Sequence, residues 1–191
     1  MPAGDRSPAR ADARRNRERL LAAARAAFLS GRMPSIEALA REAGLGVGTV
    51  YRNYPTREAL VDAVFRAERE ELCARVKPLL DEHEPVVALR RWMDFYAGFV
   101  AVKHGMAKTR ATAIPVGTVP SGDAKAALTA AVGSLITAGV HAGTLRADVR
   151  VEDVVATLAG IFLTAEDRTQ AGRQLDLLVD GLRTAPPKSP S

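Results

Sequence analysis

The sequence predicts an all-α protein. Apolar residues recur at helical spacing between proline stops, no stretch alternates apolar and polar residues as a strand does, and no internal repeat is present. Prolines stand at 34, 55, 78, 85, 115 and 120, with more at both ends and none between 121 and 185. A chain of 191 residues has room for one domain or two small ones around a moderate core.

Taken in order, residues 1–11 (MPAGDRSPARA) and 185–191 (APPKSPS) are short, polar and proline-bearing, and read as disordered tails. The first helix, 14–29, sets Leu20, Leu21, Ala24 and Phe28 on one stripe with arginines opposite. The helical pieces then shorten. Ser35 is a good N-cap for a helix to about residue 43, with Glu37 in the first turn where the helix dipole favours an acid, and Gly44 supplies the left-handed closure. A second short helix starts near Val47 and runs through Asn53 until Pro55 stops it. Thr56 caps the next helix, 59–80, which aligns Leu60, Ala63, Val64 and Ala67. The helix 86–103 carries Trp92, Phe95, Tyr96 and Phe99, and the proline- and glycine-bearing stretch 114–122 (IPVGTVPSG) reads as a mobile loop. The helix 124–142 carries Leu128, Val132, Leu135 and Ile136; 151–163 carries Val154, Val155, Leu158, Ile161 and Phe162; the last helix carries Leu175, Leu178, Val179 and Leu182 at i, i+3, i+4, i+7.

Charge is unevenly divided. Residues 1–57 hold 11 arginines, no lysine and five acids, a net +6, whereas residues 58–191 hold 16 bases and 17 acids, a net −1. Clustered arginine releases phosphate counterions on meeting a polyanion, so nucleic acid is the functional reading of that end; a solvated basic helix is the other reading that charge alone allows. Cys73 is the one cysteine and cannot close an intrachain disulfide, and His83, His104 and His141 have no zinc-ligand spacing. The expectation is a reducing, cytoplasmic compartment, with no cofactor and no metal. The apolar stretch 20–29 is interrupted by Arg25 and has no cleavage pattern after it, so no export signal is read. Residues 126–145 carry no formal charge over 20 positions, but Thr129, Ser134, Thr137, His141 and Thr144 make them too polar for lipid. Gly139 and Gly143 therefore read as a chance GxxxG in the buried helix of a bundle, and no membrane partner is expected.

Catalysis is the rival class. The run GLGVG at 44–48 follows no strand and opens no βαβ unit, so it fails as a phosphate loop. Glu68, Glu70 and Glu71 read as a solvated helix face, and Cys73 lacks a cationic neighbour that would favour its thiolate. The protein is expected not to be an enzyme; a small all-α enzyme stays the remote alternative.

Two short helices joined by a glycine turn, after a long amphipathic one, form a helix-turn-helix pattern. Leu39, Ala40, Val50 and Tyr54 would supply its apolar contacts, leaving Val47, Gly48, Thr49, Arg52 and Asn53 on the exposed side. Gly48 removes a side chain where a backbone must come close, Thr49 offers a methyl for thymine and a hydroxyl for a hydrogen bond, and Arg52 and Asn53 serve bases or phosphates. Arg57, a cation in the first turn of the next helix, opposes the dipole unless an anion sits there; an exposed arginine paired with an acid is the other reading.

The run 14–65, RRNRERLLAAARAAFLSGRMPSIEALAREAGLGVGTVYRNYPTREALVDAVF, resembles the N-terminal DNA-binding domain of the TetR family of bacterial one-component regulators. The matching parts are Ala26, Ala27 and Phe28, Ser35, the stretch IEALAREAGLGVGTVYRNY, and TREAL. The resemblance implies a DNA-binding domain over 12–58, with Val47, Gly48 and Thr49 near bases, Tyr51 and Asn53 on phosphates, and Arg57 where the family usually has a phosphate-contacting lysine. Ser35, Ile36, Glu37 and Arg52 complete the expected DNA-facing set. The stretch from Phe28 to Gly31 is one residue shorter than is usual there, which bears on the entry to the second helix.

The same resemblance implies an all-helical ligand-binding and dimerisation domain over 59–184, in which AGTLRADV, 142–149, looks like a turn common before the last two helices. Those helices would pair with their copies in a four-helix bundle through Val154, Val155, Leu158, Phe162, Leu175, Leu178, Val179 and Leu182. A small-molecule effector is expected against Trp92, Tyr96, Phe99, Lys103, Met106 and Arg110, with Leu135 and Phe162 opposite, although such a stripe is also what any buried helix shows. The expected partners are palindromic double-stranded operator DNA, a second copy of the chain and an unknown effector. The function implied is a ligand-responsive repressor; an activator or an inducer-independent DNA-binding protein of the same fold is the alternative.

Overall fold

The computed structural model describes residues 8–109 and 122–184. Nine helices lie among the described residues: α1 (Pro8–Leu29), α2 (Ile36–Glu42), α3 (Val47–Asn53), α4 (Arg57–Ala74), α5 (Val76–Glu82), α6 (Pro85–Thr109), α7 (Asp123–His141), α8 (Val151–Thr164) and α9 (Arg168–Leu182). Extended pairing among them is limited to an isolated bridge between Leu145 and Arg183. The tail expected at 185–191, residues 1–7 of the other tail, and the loop expected at 114–122 as far as residue 121 lie outside the described residues. Helix α1 begins at Pro8, inside the stretch expected to be a tail, because proline's fixed φ and missing N–H suit the first position of a helix.

The helix expected over 59–80 is two helices, α4 and α5, separated at Arg75. Pro78 has no N–H for the Ala74 carbonyl four residues back, and its ring would collide with that carbonyl in a continuous helix. A break at Arg75 places Pro78 in the first turn of α5, where an N–H has no intrahelical partner in any case.

The chain packs as two compact units. One holds the described residues through Glu68 together with α6 from Ala101; the other holds Arg69–Val100 and α7 to α9. The first unit is larger than the stretch 12–58, because Leu60, Val61 and Val64 of α4 and Val102 of α6 are buried with Leu20, Ala24, Ala27 and Phe28 of α1 and with Leu39, Ala40 and Val50 of the short helices. Glu68, read from sequence as solvated, is only 13% exposed and pairs with Arg25 at 2.8 Å. Helices α4 and α6 each have one end in either unit.

In the second unit a single core gathers Leu89, Trp92, Met93 and Tyr96 of α6, Leu128, Val132 and Leu135 of α7, Val154, Val155 and Leu158 of α8, and Leu175, Val179 and Leu182 of α9. Arg90 of α6 reaches Asp176 of α9 at 2.6 Å and also pairs with Asp94. The two glycines near the end of α7 are not chance spacing. Gly143 takes φ +69°, its N–H meets the Val140 carbonyl (3.0 Å) and the Thr144 N–H meets that of Gly139 (2.9 Å), a Schellman closure. Gly139 has no side chain because Leu145 folds across it: a Cβ there would stand 2.4 Å from Leu145 Cδ1. The turn that follows is tied to the end of α9 by Arg146 N–H on the Leu182 carbonyl (2.9 Å) and Thr184 N–H on that of Thr144 (3.2 Å). Among the described residues no helix is long and apolar enough to cross a membrane.

Candidate nucleic-acid interface

Local signals in the sequence set the α2–α3 pair. Ser35 is extended, and its Oγ accepts the Ala38 N–H at 3.2 Å, satisfying one of the donors that a helix start leaves over. Gly44 takes φ +65°, with its own N–H on the Arg41 carbonyl (3.1 Å) and the Leu45 N–H on that of Ala40 (2.8 Å), so α2 closes and the chain turns. Gly46 is extended and its carbonyl receives the N–H groups of Thr49 (2.9 Å) and Val50 (3.2 Å), which starts α3.

Helix α3 buries one residue, Val50, and the half-buried Tyr54 packs beside it. Val47, Gly48, Tyr51, Arg52 and Asn53 are exposed and Thr49 is half-buried. A helix of seven residues held by one core side chain turns the rest of its surface outward. Nothing lies within 4 Å of where a Gly48 Cβ would stand.

The polar groups on this surface are ordered by one another. Arg52 Nη2 donates to Thr49 Oγ1 at 3.1 Å and Asn53 Nδ2 to the Thr49 carbonyl at 2.8 Å, so α3 carries its own side-chain lattice. The Tyr51 hydroxyl donates to the Glu37 carboxylate across the turn. Glu37 is held down to about 2 by that hydroxyl first and then by the Ser35 hydroxyl, while the bond raises the Tyr51 pKa. Arg57 is exposed and donates through Nη2 to the Pro34 carbonyl (3.0 Å) and to that of Met33, so the first residue of α4 grips the entry to α2. Thr56 caps α4 by accepting the Ala59 N–H at 3.1 Å. Of the expected DNA-facing set, Ile36 is corrected: at 7% exposure its side chain belongs to the core, since a two-turn helix must turn Ile36, Leu39 and Ala40 inward together. The Glu37–Tyr51 and Arg57–Met33 links had no local signal, because their partners meet only in the folded pair.

Of the residues expected against an effector, Trp92, Tyr96, Phe99 and Phe162 form a packed aromatic cluster in the second unit. The Tyr96 ring lies 5.8 Å from Trp92, 5.9 Å from Phe99 and 5.6 Å from Phe162. Trp92 and Leu135 are fully buried, and the Trp92 Nε1–H is used on the Leu72 carbonyl at 3.0 Å. Burial pushes the Tyr96 hydroxyl up to about 12 and draws the half-buried Lys103 amine down. The Met106 side chain and all of Arg110 lie outside the described residues. Two surface clefts of about 550 and 470 Å³ are lined elsewhere, one by Arg75, Leu79 and Phe95, the other by Val87, Arg90 and Asp176. Burial places the Cys73 thiol above its ordinary range, against reactivity.

The apolar stripes expected at a dimer seam mostly serve the chain's own core. Val154, Val155, Leu158, Leu175, Val179 and Leu182 are each between 1% and 6% exposed, whereas Phe162 and Leu178 are half-buried. The large apolar side chains left outside on these helices are Leu163, 56% exposed, and Leu177, 72% exposed.

The comparisons with known proteins agree with this geometry. The family profile described as bacterial regulatory proteins, tetR family, matches residues 20–64, and the profile for the C-terminal domain of SbtR-like transcriptional regulators matches residues 84–184. Among solved structures, a TetR transcriptional regulator from Streptomyces coelicolor is 43% identical, covering 87% of this chain and 98% of its own, with a TM-score of 0.73. The TetR transcription regulatory protein from Mycobacterium vanbaalenii is 34% identical, covering 93% and 100%, with a TM-score of 0.72. No curated protein matches. With an exposed recognition-type helix in one unit, a helical core in the other, and both halves of the sequence matched in order, the chain belongs to the TetR family of bacterial transcriptional regulators.

Proposed function

We propose that this protein is a cytoplasmic, ligand-responsive repressor that binds a palindromic operator as a dimer and releases it when a small molecule enters its C-terminal unit. TetR regulators bind operator DNA and are typically dimers. The observation that carries the proposal is α3 itself: a short helix with one buried residue, an uncharged N-terminal tip of Val47, Gly48 and Thr49, and polar groups around it. Such a tip suits base edges in a major groove, while charged and hydroxyl-bearing neighbours suit the sugar-phosphate ridges. In this reading Thr49 meets a base, Arg52 a base or phosphate, and Tyr51, Asn53 and Arg57 phosphates. Arg57 spends one nitrogen on the Met33 and Pro34 carbonyls and keeps Nε and Nη1 for an anion.

The effector is assigned to the Tyr96, Phe99 and Phe162 cluster of the second unit. Helices α4 and α6 run through both units, so a ligand that alters the second unit acts on the helix that begins at Arg57. A coupling of about 1–3 kcal/mol changes operator affinity roughly 5- to 150-fold. The dimer is assigned to the outward faces of α8 and α9, where Leu163 and Leu177 stand with Phe162 and Leu178 at the edge.

Titration of labelled duplexes over a range of salt tests the DNA reading. Arg57→Ala weakens binding to every sequence and lowers the salt slope by about one phosphate contact, whereas Thr49→Ala chiefly relaxes preference at one position of each half-site, by about 1–3 kcal/mol. Equal loss on all sequences with Thr49→Ala would rule out direct readout by that side chain.

A further inference from the structure

On the polar surface of the α2–α3 pair, Glu37 occupies a hydroxyl donor that a nucleic acid would use. The Tyr51 hydroxyl donates to its carboxylate. A hydroxyl has a single proton. Tyr51 cannot give it to Glu37 and to a phosphate at once. A carboxylate that takes an O–H donor reproduces the contact that a hydroxyl makes to a DNA backbone phosphate, where a charged acceptor shortens and strengthens the bond.

We propose that Glu37 is an internal stand-in for a DNA phosphate: it holds the Tyr51 hydroxyl in the free protein, and a backbone phosphate must displace it for that hydroxyl to engage DNA. This rests on the reading of α3 as the DNA-facing helix. Glu37 then contributes to operator binding as a competing anion and not as a contact. Glu37 is half-buried at the surface, and the Arg41 guanidinium, four residues on along α2, already attracts its charge. The competition sets a ceiling on affinity for any sequence, because phosphates carry no base identity, while base readout by Thr49 is untouched.

The full chain titrated onto a labelled mixed-sequence duplex at low ionic strength tests this. Glu37→Gln keeps the shape and an acceptor but removes the charge, and it tightens binding about three- to tenfold. Glu37→Ala, which removes the acceptor altogether, tightens it at least as much. Glu42→Gln is the control for charge alone, since Glu42 lies on the same helix but pairs with Arg32 at 3.2 Å, and it gives a smaller gain. In a Tyr51→Phe background the gain from Glu37→Gln shrinks, because the proton it would release is gone. Unchanged or weaker binding by both Glu37 variants overturns the proposal, as does a gain equal to that of Glu42→Gln or undiminished by Tyr51→Phe. A native chain that ignores every duplex overturns the DNA reading as well; a native chain that binds while neither Glu37 variant tightens overturns only the role of Glu37.

Discussion

Glu37 ties the stability of the α2–α3 pair to pH, and the sign follows from the direction of its shift. Its carboxyl titrates at about 2 in the folded chain against an ordinary 4.5, so the unfolded chain binds the proton more readily. The stabilisation is therefore complete above pH 4.5 and fades as pH falls from there towards 2. Glu37→Gln melts below the native chain at neutral pH, and thermal melts followed by circular dichroism show the gap closing through that acid window. Gly44 acts through its backbone alone: at φ +65° an L side chain is strained, so Gly44→Ala costs about 1–2 kcal/mol in urea unfolding. Ser35, Gly44 and Thr56 were legible in the sequence because each cap or closure involves residues within a few positions. Ile36 was not, since a seven-residue helix shows too little of its period to fix which face turns inward. Nor were the links from Tyr51 to Glu37 and from Arg57 to Met33, whose partners lie 14 and 24 residues away.

Helix existence followed from the apolar period, yet what covers each stripe did not. A row at i, i+3, i+4, i+7 states that a face is buried and is silent about whether the chain's own core or a second copy buries it. On α8 and α9 the chain's own core took Val154, Val155, Leu158, Leu175, Val179 and Leu182, while Phe162 and Leu178 of the same stripes stay half-buried. Pro78 stands inside the span 59–80 that the apolar period reads as one helix, and its clash with a carbonyl one turn back decides the break between α4 and α5. The end of α7 illustrates a packing demand that only the fold exposes. Gly139→Ala forces Leu145, 2% exposed, to shift and destabilises the chain by about 1–3 kcal/mol. Gly98→Ala on α6 meets no atom within 4 Å and is neutral or stabilising by up to about 1 kcal/mol from helix propensity. Equal urea midpoints for the two variants would show that Leu145 moves aside without cost.

At the scale of the whole molecule, a palindromic site demands two recognition helices held by one interface, because each half-site contact alone is weak and the second is gained by effective concentration. Two leucines on α9, two residues apart, separate folding from assembly. Leu175 is 1% exposed, and Leu175→Ala opens a core cavity costing about 2–5 kcal/mol. Leu177, 72% exposed, contributes little to the single chain, so Leu177→Asp combined with Leu163→Asp leaves helix content and unfolding midpoint at low concentration nearly unchanged. In a dimer built on these faces, both charges would be buried unpaired, and association is lost. Light scattering then reports the 20.3 kDa of one chain where the native protein reports twice that mass, and affinity for a two-half-site duplex falls to that for a single half-site. A double variant that keeps twice the chain mass moves the interface away from the outer faces of α8 and α9 and leaves these leucines without a partner to explain their exposure.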